Sequence, residues 1–468
     1  MNFPPELFLH IIHQIDQPKD LLSLALTNRI FCTTIIPDHM DYRQIWCEVD
    51  KDEVWNHLLE QRSRCQAIRT LIVDNSEKRY IPRRCYDEFK SNNISDPSPG
   101  LGFRRMFSQQ KFCEALSRMS NLRTLKCALS DEDVAKRVVN GISRSGCVLD
   151  QFEVVVGRRL EDQELDESPF RFEIMSPHLN SLSKFTVYAQ IFAKIDTKSM
   201  MQTLSNMPNL TYLKLTCPTI SLPQFLTIGR WPKLKALTLQ LASLKDEEDG
   251  DDGTYTKHLR AFFTRHPRLE SLDFYGTLLP GCMYDSKDFL PRLTAFRNDY
   301  YQVFPIGTIL PITVSRNLTH LTVFVAPERF NLKPGALNAL KSCNLHCDKD
   351  IRILQDFVNA APNIQKLCLH YRRFHLSLSD ILRCLMSLTK LTYLLGPLNN
   401  ISLSEQQGAA LLPELYKFPS LSYIDVKVGN ERRCARLLPN HLRKTMDYEV
   451  LSLSELRPDE FLRWGDFF

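Results

Sequence analysis

Apolar residues recur along this chain in one frame. In Pro208-Asn209-Leu210-Thr211-Tyr212-Leu213-Lys214-Leu215 the leucines are spaced by three and then two residues. Side chains alternate across a strand, so this spacing puts Leu213 and Leu215 on one face and Tyr212, Lys214 and Thr216 on the other. The preceding proline ends a helix and sends the chain into the strand. The frame returns at Trp231-Pro232-Lys233-Leu234, Pro267-Arg268-Leu269, Pro362-Asn363-Ile364 and Pro419-Ser420-Leu421.

With Phe, Ile, Val or Cys substituting for Leu, the frame begins at Leu122, Leu149, Leu182, Leu210, Leu234, Leu269, Leu293, Leu318, Leu340, Ile364, Leu391 and Leu421, with an isolated earlier instance at Ile68. Eleven intervals cover 299 residues, about 27 each, within the leucine-rich-repeat range and below the all-helical repeats. At Leu182 the register is open, because Pro177 favours Leu179 as the anchor, and the Leu340 instance is the faintest. Helical faces precede several strands: Phe112, Leu116 and Met119; Leu259, Phe262 and Phe263; Ile351, Leu354, Phe357 and Val358; Ile381, Leu382 and Leu385. Alternating helices and strands predict an α/β architecture of parallel strands with crossover helices. The asparagine or cysteine that commonly closes such a repeat is clear only at Asn399, so the expected solenoid is irregular, its parallel sheet lining the concave face.

The first 46 residues carry a different pattern. Phe3-Pro4-Pro5-Glu6-Leu7-Phe8-Leu9-His10-Ile11-Ile12 places apolar residues at helical spacing behind a proline start, Pro18-Lys19-Asp20-Leu21-Leu22-Ser23-Leu24-Ala25 begins a second helix, and Arg29-Ile30-Phe31 leads into a third. This segment resembles an F-box: Pro4, Glu6, Leu7, Ile11, Ile12, Pro18, Asp20, Leu21, Leu22, Leu24, Ala25, Arg29 and Phe31 fall in register with that family's motif, while Phe3, Ile15 and Asn28 depart from it. An amphipathic cap for the repeats is the plainer alternative, but a cap has no reason to spell Pro-x-Glu and Pro-x-Asp-Leu-Leu at these separations.

The resemblance implies a substrate receptor of an SCF-type cullin-RING ubiquitin ligase. Pro4, Glu6, Leu7, Ile11, Ile12, Pro18, Leu21, Leu22 and Phe31 would meet a Skp-type adaptor, which in turn brings cullin and RING subunits. A protein substrate would lie on the outward strand positions, where Tyr212, Lys214, Asp273, Tyr275, Arg297, His320, Phe324, His370, Tyr393 and Tyr423 mix aromatic and charged groups suited to protein recognition. An F-box protein that does not direct degradation, and a leucine-rich-repeat scaffold or inhibitor, are the other readings.

The expected organisation is an F-box at 1–46, a connecting helix at 47–66, repeats at 67–450 with an insertion at 76–107, and a C-terminal aromatic segment at 451–468 that caps the last repeat or screens the concave face. Lys245 to Gly253 reads as an exposed acidic loop, since the twelfth position counted from Asp246 is Lys257 where an EF-hand needs Glu.

Composition narrows the chemistry. A net charge of +5 on 113 charged side chains gives no ground for nucleic acid or an anionic membrane as partner. No apolar run approaches a membrane span, and the first residues lack the basic and apolar regions of a secretory leader, so cytosol or nucleus is expected. Fourteen scattered cysteines read as reduced thiols. Cys343 and Cys347 lack a second pair at zinc-finger spacing. No Ser-His-Asp signature, phosphate loop or HExxH motif is present; the expectation is a non-catalytic protein without metal or cofactor.

Overall fold

The computed structural model describes residues 5–15, 18–48, 51–73, 110–129, 132–157, 170–172, 179–189, 195–241, 254–275, 290–298, 317–325, 333–347, 351–370, 378–396, 410–428, 431–442 and 444–451. The insertion at 76–107, the acidic loop at 245–253, Pro4, Asn399 and the aromatic segment after Leu451 lie outside these residues. The chain divides into two compact units, Met1–Leu234 and Lys235–Phe468.

In the first unit, helices α1 (Pro5–Gln14), α2 (Pro18–Ala25) and α3 (Arg29–Ile35) precede a π-helical turn at Ile36–Met40. Asn28 caps α3, its side chain accepting from the Ile30 amide at 2.8 Å. Six strands follow: β1 (Gln44–Cys47), β2 (Thr70–Val73), β3 (Thr124–Leu129), β4 (Gln151–Val156), β5 (Lys184–Ala189) and β6 (Tyr212–Cys217). Each pairs with the next, all parallel. Register aligns Ile45, Leu71, Leu125, Phe152, Phe185 and Leu213 in one buried row. Repeats stack for this reason: no single strand covers its own apolar edge, but neighbours in register do.

The second unit holds β7 (Ala236–Leu241), β8 (Ser271–Tyr275), β9 (Ala295–Asn298), β10 (His320–Val325), β11 (Ser342–Cys347), β12 (Lys366–His370), β13 (Tyr393–Leu395) and β14 (Tyr423–Val428), again parallel and in chain order. Helices at Ile351–Ala360 and Leu378–Leu385 bury Leu354, Phe357, Ile381 and Leu382.

A repeated hydrogen-bond pattern sets where each strand begins. Every frame residue lies two positions before its strand, and the residue between them offers its carbonyl to two successive amides of the next repeat. Ser183 O accepts from Thr211 N at 2.8 Å and Tyr212 N at 3.1 Å; Gln365 O accepts from Thr392 N at 2.7 Å and Tyr393 N at 3.0 Å. Arg123, Asp150, Lys235, Glu270, Thr294, Thr319, Lys341 and Thr392 act likewise. A carbonyl has two lone pairs and both are used, so a one-residue slip would break two bonds and turn the leucines outward. This pattern settles the open register: β5 begins two residues after Leu182, with Leu179 and Leu182 both buried.

Three expectations are corrected. The sheet begins at Gln44, inside the segment assigned to the three-helix module, because Ile45 and Cys47 alternate inward and extend the buried rows by one strand. Beyond Cys47, two helices at Asp52–Glu60 and Arg62–Ala67 replace the single connecting helix. The sheet is not parallel to its end: β15 (Glu431–Asn440) and β16 (Thr445–Leu451) pair antiparallel, β15 with β14 and β16 with β15. Only two residues separate β14 from β15, too few for a crossover helix, so the chain must turn back on itself.

Candidate functional site: an exposed apolar patch and the open sheet face

The N-terminal helices separate two kinds of apolar residue. Ile12, Leu21, Ala25 and Ile35 form the module's own core, with Ile15, Leu24, Phe31 and Met40 packed against it. Phe8 meets Phe31 edge to face at 4.6 Å between ring centroids. Leu7, Leu9, Ile11, Leu22, Leu26 and Ile30 stay in solvent, Leu7 at 49%, Ile30 at 58% and Leu26 at 74% exposure. Scattered exposed leucines are ordinary, but six large apolar residues exposed within the α1–α3 segment need explanation. Of the residues expected to meet an adaptor, Leu7, Ile11 and Leu22 are therefore available, Phe31 is half-buried, and Ile12 and Leu21 hold the module together. The side chains of Glu6 and Pro18 lie outside the description, as does Pro4.

Arg43 ties this module to the sheet. It is buried beside β1, and its guanidinium donates to the backbone carbonyl of Ile12 at 2.8 Å and to that of Ile15. The Arg43 carbonyl accepts the Arg69 amide at 3.0 Å, the bond that leads into β2. One residue thus serves the end of α1 with its side chain and the first step of the strand ladder with its backbone. Nearby, Tyr42 and His57 are both buried, with Tyr42 Oη 2.6 Å from His57 Nε2, and Arg64 donates to the His57 carbonyl at 2.6 Å.

On the open sheet face of the first unit, Lys126 and Glu153 form an ion pair at 2.8 Å, and Lys214 lies over the Tyr188 ring at 5.0 Å from its centroid. Tyr212 and Lys214 are half-buried on this face. The second unit brings the other expected residues into neighbouring positions. Asp273 is aligned with Arg297, whose Nε lies 4.0 Å from its carboxylate. Tyr393 and Tyr423 are aligned and stacked, centroids 4.6 Å apart and planes 8° apart, and Lys366 lies over Tyr393 at 4.4 Å. His320 is exposed, its Nδ1 2.8 Å from Thr319 Oγ1. Tyr275, Phe324 and His370 occupy strand positions, and their side chains lie outside the description.

One outward position behaves differently. Asp425 is buried on this face, and both its carboxylate oxygens accept from the Gly396 amide at 2.9 Å. Beside it, Cys368, Leu395 and Cys434 make a small apolar cluster, packed by Tyr393, Tyr423 and Leu451. Tyr188 and Arg436 were not found from sequence. Tyr188 sits in the repeat whose register was open, and Arg436, exposed and aligned with Tyr423, sits on a strand that has no leucine frame.

No protein-family model matches the chain, and no curated protein matches it. Solved structures similar to it include the leucine-rich-repeat-containing protein LegL7 of Legionella pneumophila, at 12% identity over 76% of this chain and 92% of that one, with a TM-score of 0.30. A leucine-rich-repeat protein of Leptospira interrogans is similar at 13% identity over 78% of this chain and 74% of that one, TM-score 0.32. The Toll–Spatzle complex of Drosophila is similar at 11% identity over 65% and 40%, TM-score 0.37. The leucine-rich-repeat character of the fold rests on the strand order, the frame spacing and the carbonyl ladder described above.

Proposed function

We propose that the chain is the substrate-recognition subunit of an SCF-type ubiquitin ligase, docking a Skp-type adaptor through α1–α3 and holding a protein substrate on the open sheet face. The observation that carries this reading is the exposure of Leu7, Leu9, Ile11, Leu22, Leu26 and Ile30 on a module whose own core is already complete. A simple cap would turn its apolar residues toward the repeats. These face solvent instead, on the segment that resembles an F-box. Burying what remains exposed of these side chains on docking contributes favourably for each of them, with Leu26 and Ile30 having the most area left to bury.

In this reading the chain performs no bond chemistry. It contributes proximity: the adaptor, cullin and RING subunits carry the conjugating enzyme, and the sheet raises the effective concentration of the acceptor lysine beside it. Arg43, by bonding the end of α1 to the first strand, limits how far the docked ligase and β1 swing apart.

Co-purification of a Skp-type adaptor with the full chain is the test. Leu7→Asp with Leu22→Asp, both at exposed positions, should abolish association without lowering the melting temperature. Unchanged association would reject the adaptor assignment. Accumulation of a bound protein when the chain is deleted would then separate a degradative receptor from a non-degradative one.

A further inference from the structure

Register places Lys366, Tyr393, Tyr423 and Arg436 side by side on four neighbouring strands, β12 to β15. Directly opposed residues share a face of the sheet, so the four form one row. Lys366 lies over the first ring and the rings stack on one another, which fixes the three relative to each other, with Arg436 at the end of the row.

We infer that this row docks an acidic, extended segment of a partner protein, recognised through its carboxylates; the inference names the substrate chemistry of the open face and rests on the reading of that face as the recognition surface. Charge is the first argument. Residues 341–451 contain fifteen Lys and Arg against ten Asp and Glu, a surplus that equals the +5 of the whole chain. The carboxylate on the adjoining row, Asp425, is turned in and bonded to the Gly396 amide, so it does not oppose an incoming acid from the surface. Glu449, aligned with Arg436 on β16, bounds the row on its far side.

Geometry is the second argument. A phenol O–H donates to a carboxylate, more weakly than a cation does, so the two tyrosines add to the charged ends of the row. Arg436 supplies the planar fork that grips a carboxylate with two bonds. The same arrangement disfavours nucleic acid. Base stacking requires an open ring face, and Tyr393, in the middle, has Lys366 on one side and Tyr423 on the other.

Fluorescence anisotropy with the full chain and a labelled poly-glutamate peptide tests this. Binding should weaken as salt rises and fall by about tenfold or more in Lys366→Glu and in Arg436→Glu, with unchanged melting temperatures. Tyr393→Phe with Tyr423→Phe keeps the stack, removes only the hydroxyls and should weaken binding by less. Peptide binding that is absent, or indifferent to both charge reversals, overturns the inference, and so does tighter binding of a single-stranded oligonucleotide than of the peptide. The assay contains no adaptor, so its failure leaves the co-purification result standing, and failure of co-purification leaves this one.

Discussion

Gly396 and Asp425 hold each other in place across neighbouring repeats, the glycine amide donating to both carboxylate oxygens at 2.9 Å. Gly396 has a φ of +100°, and a Cβ there would stand 1.7 Å from the Leu369 carbonyl oxygen. Only glycine fits, for conformation and for space. Gly396→Ala should therefore cost at least about 2 kcal/mol through overpacking and strain, read as a lower melting temperature. Asp425→Ala, which leaves the buried amide without its acceptor, should cost about 1 to 3 kcal/mol. A Gly396→Ala chain that melts like the parent would contradict the close approach.

Arg43 makes a second prediction. Its bonds to the Ile12 and Ile15 carbonyls join α1 to the sheet, and bonds from a charged donor contribute about 1.5 to 3 kcal/mol each. Arg43→Met retains the buried stem and removes the donors. It should increase hydrogen exchange in α1 while leaving the second unit's exchange unchanged; equal protection of α1 would show that the clamp is dispensable.

Much of this fold was legible because the frame reports burial directly. Leu210, Leu213 and Leu215 announce a strand with one covered face, and each frame residue stands two positions before an observed strand. The Leu340 instance was faint because Cys343 replaces a leucine, yet Cys343 is buried in the same row position as Leu367 on the next strand. The antiparallel end is not legible in the sequence, since β15 carries Arg432, Arg433 and Arg436 in place of a leucine frame. Its one available signal was the alternation of Met446, Tyr448 and Val450. On the site, sequence spacing distinguished inward from outward positions but not neighbours from strangers. Tyr393 and Tyr423 are thirty residues apart in sequence and stack only because β13 and β14 are in register. Nor does spacing reveal that Asp425, an outward residue by count, is turned in by Gly396. The split of the helical stripe into core (Ile12, Leu21) and surface (Leu7, Leu22) needed the helices' packing, because all four fit one apolar pattern.

Acid should weaken the second unit through His266. Burial lowers its pKa from 6.5 to about 4, opposed by its bond to the Phe262 carbonyl and assisted by the charge of Arg265. Nδ1 lies 2.7 Å from that carbonyl oxygen, so the neutral ring donates there. The folded state disfavours protonation, so this contribution is complete above pH 6.5 and is lost as pH falls toward 4. Its ceiling is about 3 kcal/mol. Melting temperature followed from pH 7 to 4.5 should fall less steeply in His266→Gln than in the parent; parallel curves would remove His266 as a cause.

Thiol reactivity offers a separate check on burial. Burial pushes the Cys127 and Cys217 thiols up to about 12 and that of Cys65 to about 11. Thiolate is the reactive form, so these three should escape maleimide at neutral pH in the native chain and label after denaturation. Rapid native labelling of Cys217 would contradict the packing of β6.

The proposed docking of a Skp-type adaptor on α1–α3 is tested most directly by hydrogen–deuterium exchange of the full chain with and without the purified adaptor. Adaptor binding should slow exchange across α1, α2 and the start of α3, where Leu7, Ile11, Leu22 and Ile30 are exposed, and leave β12 to β15 unchanged. Protection confined to the sheet, or none anywhere at saturating adaptor, would contradict it.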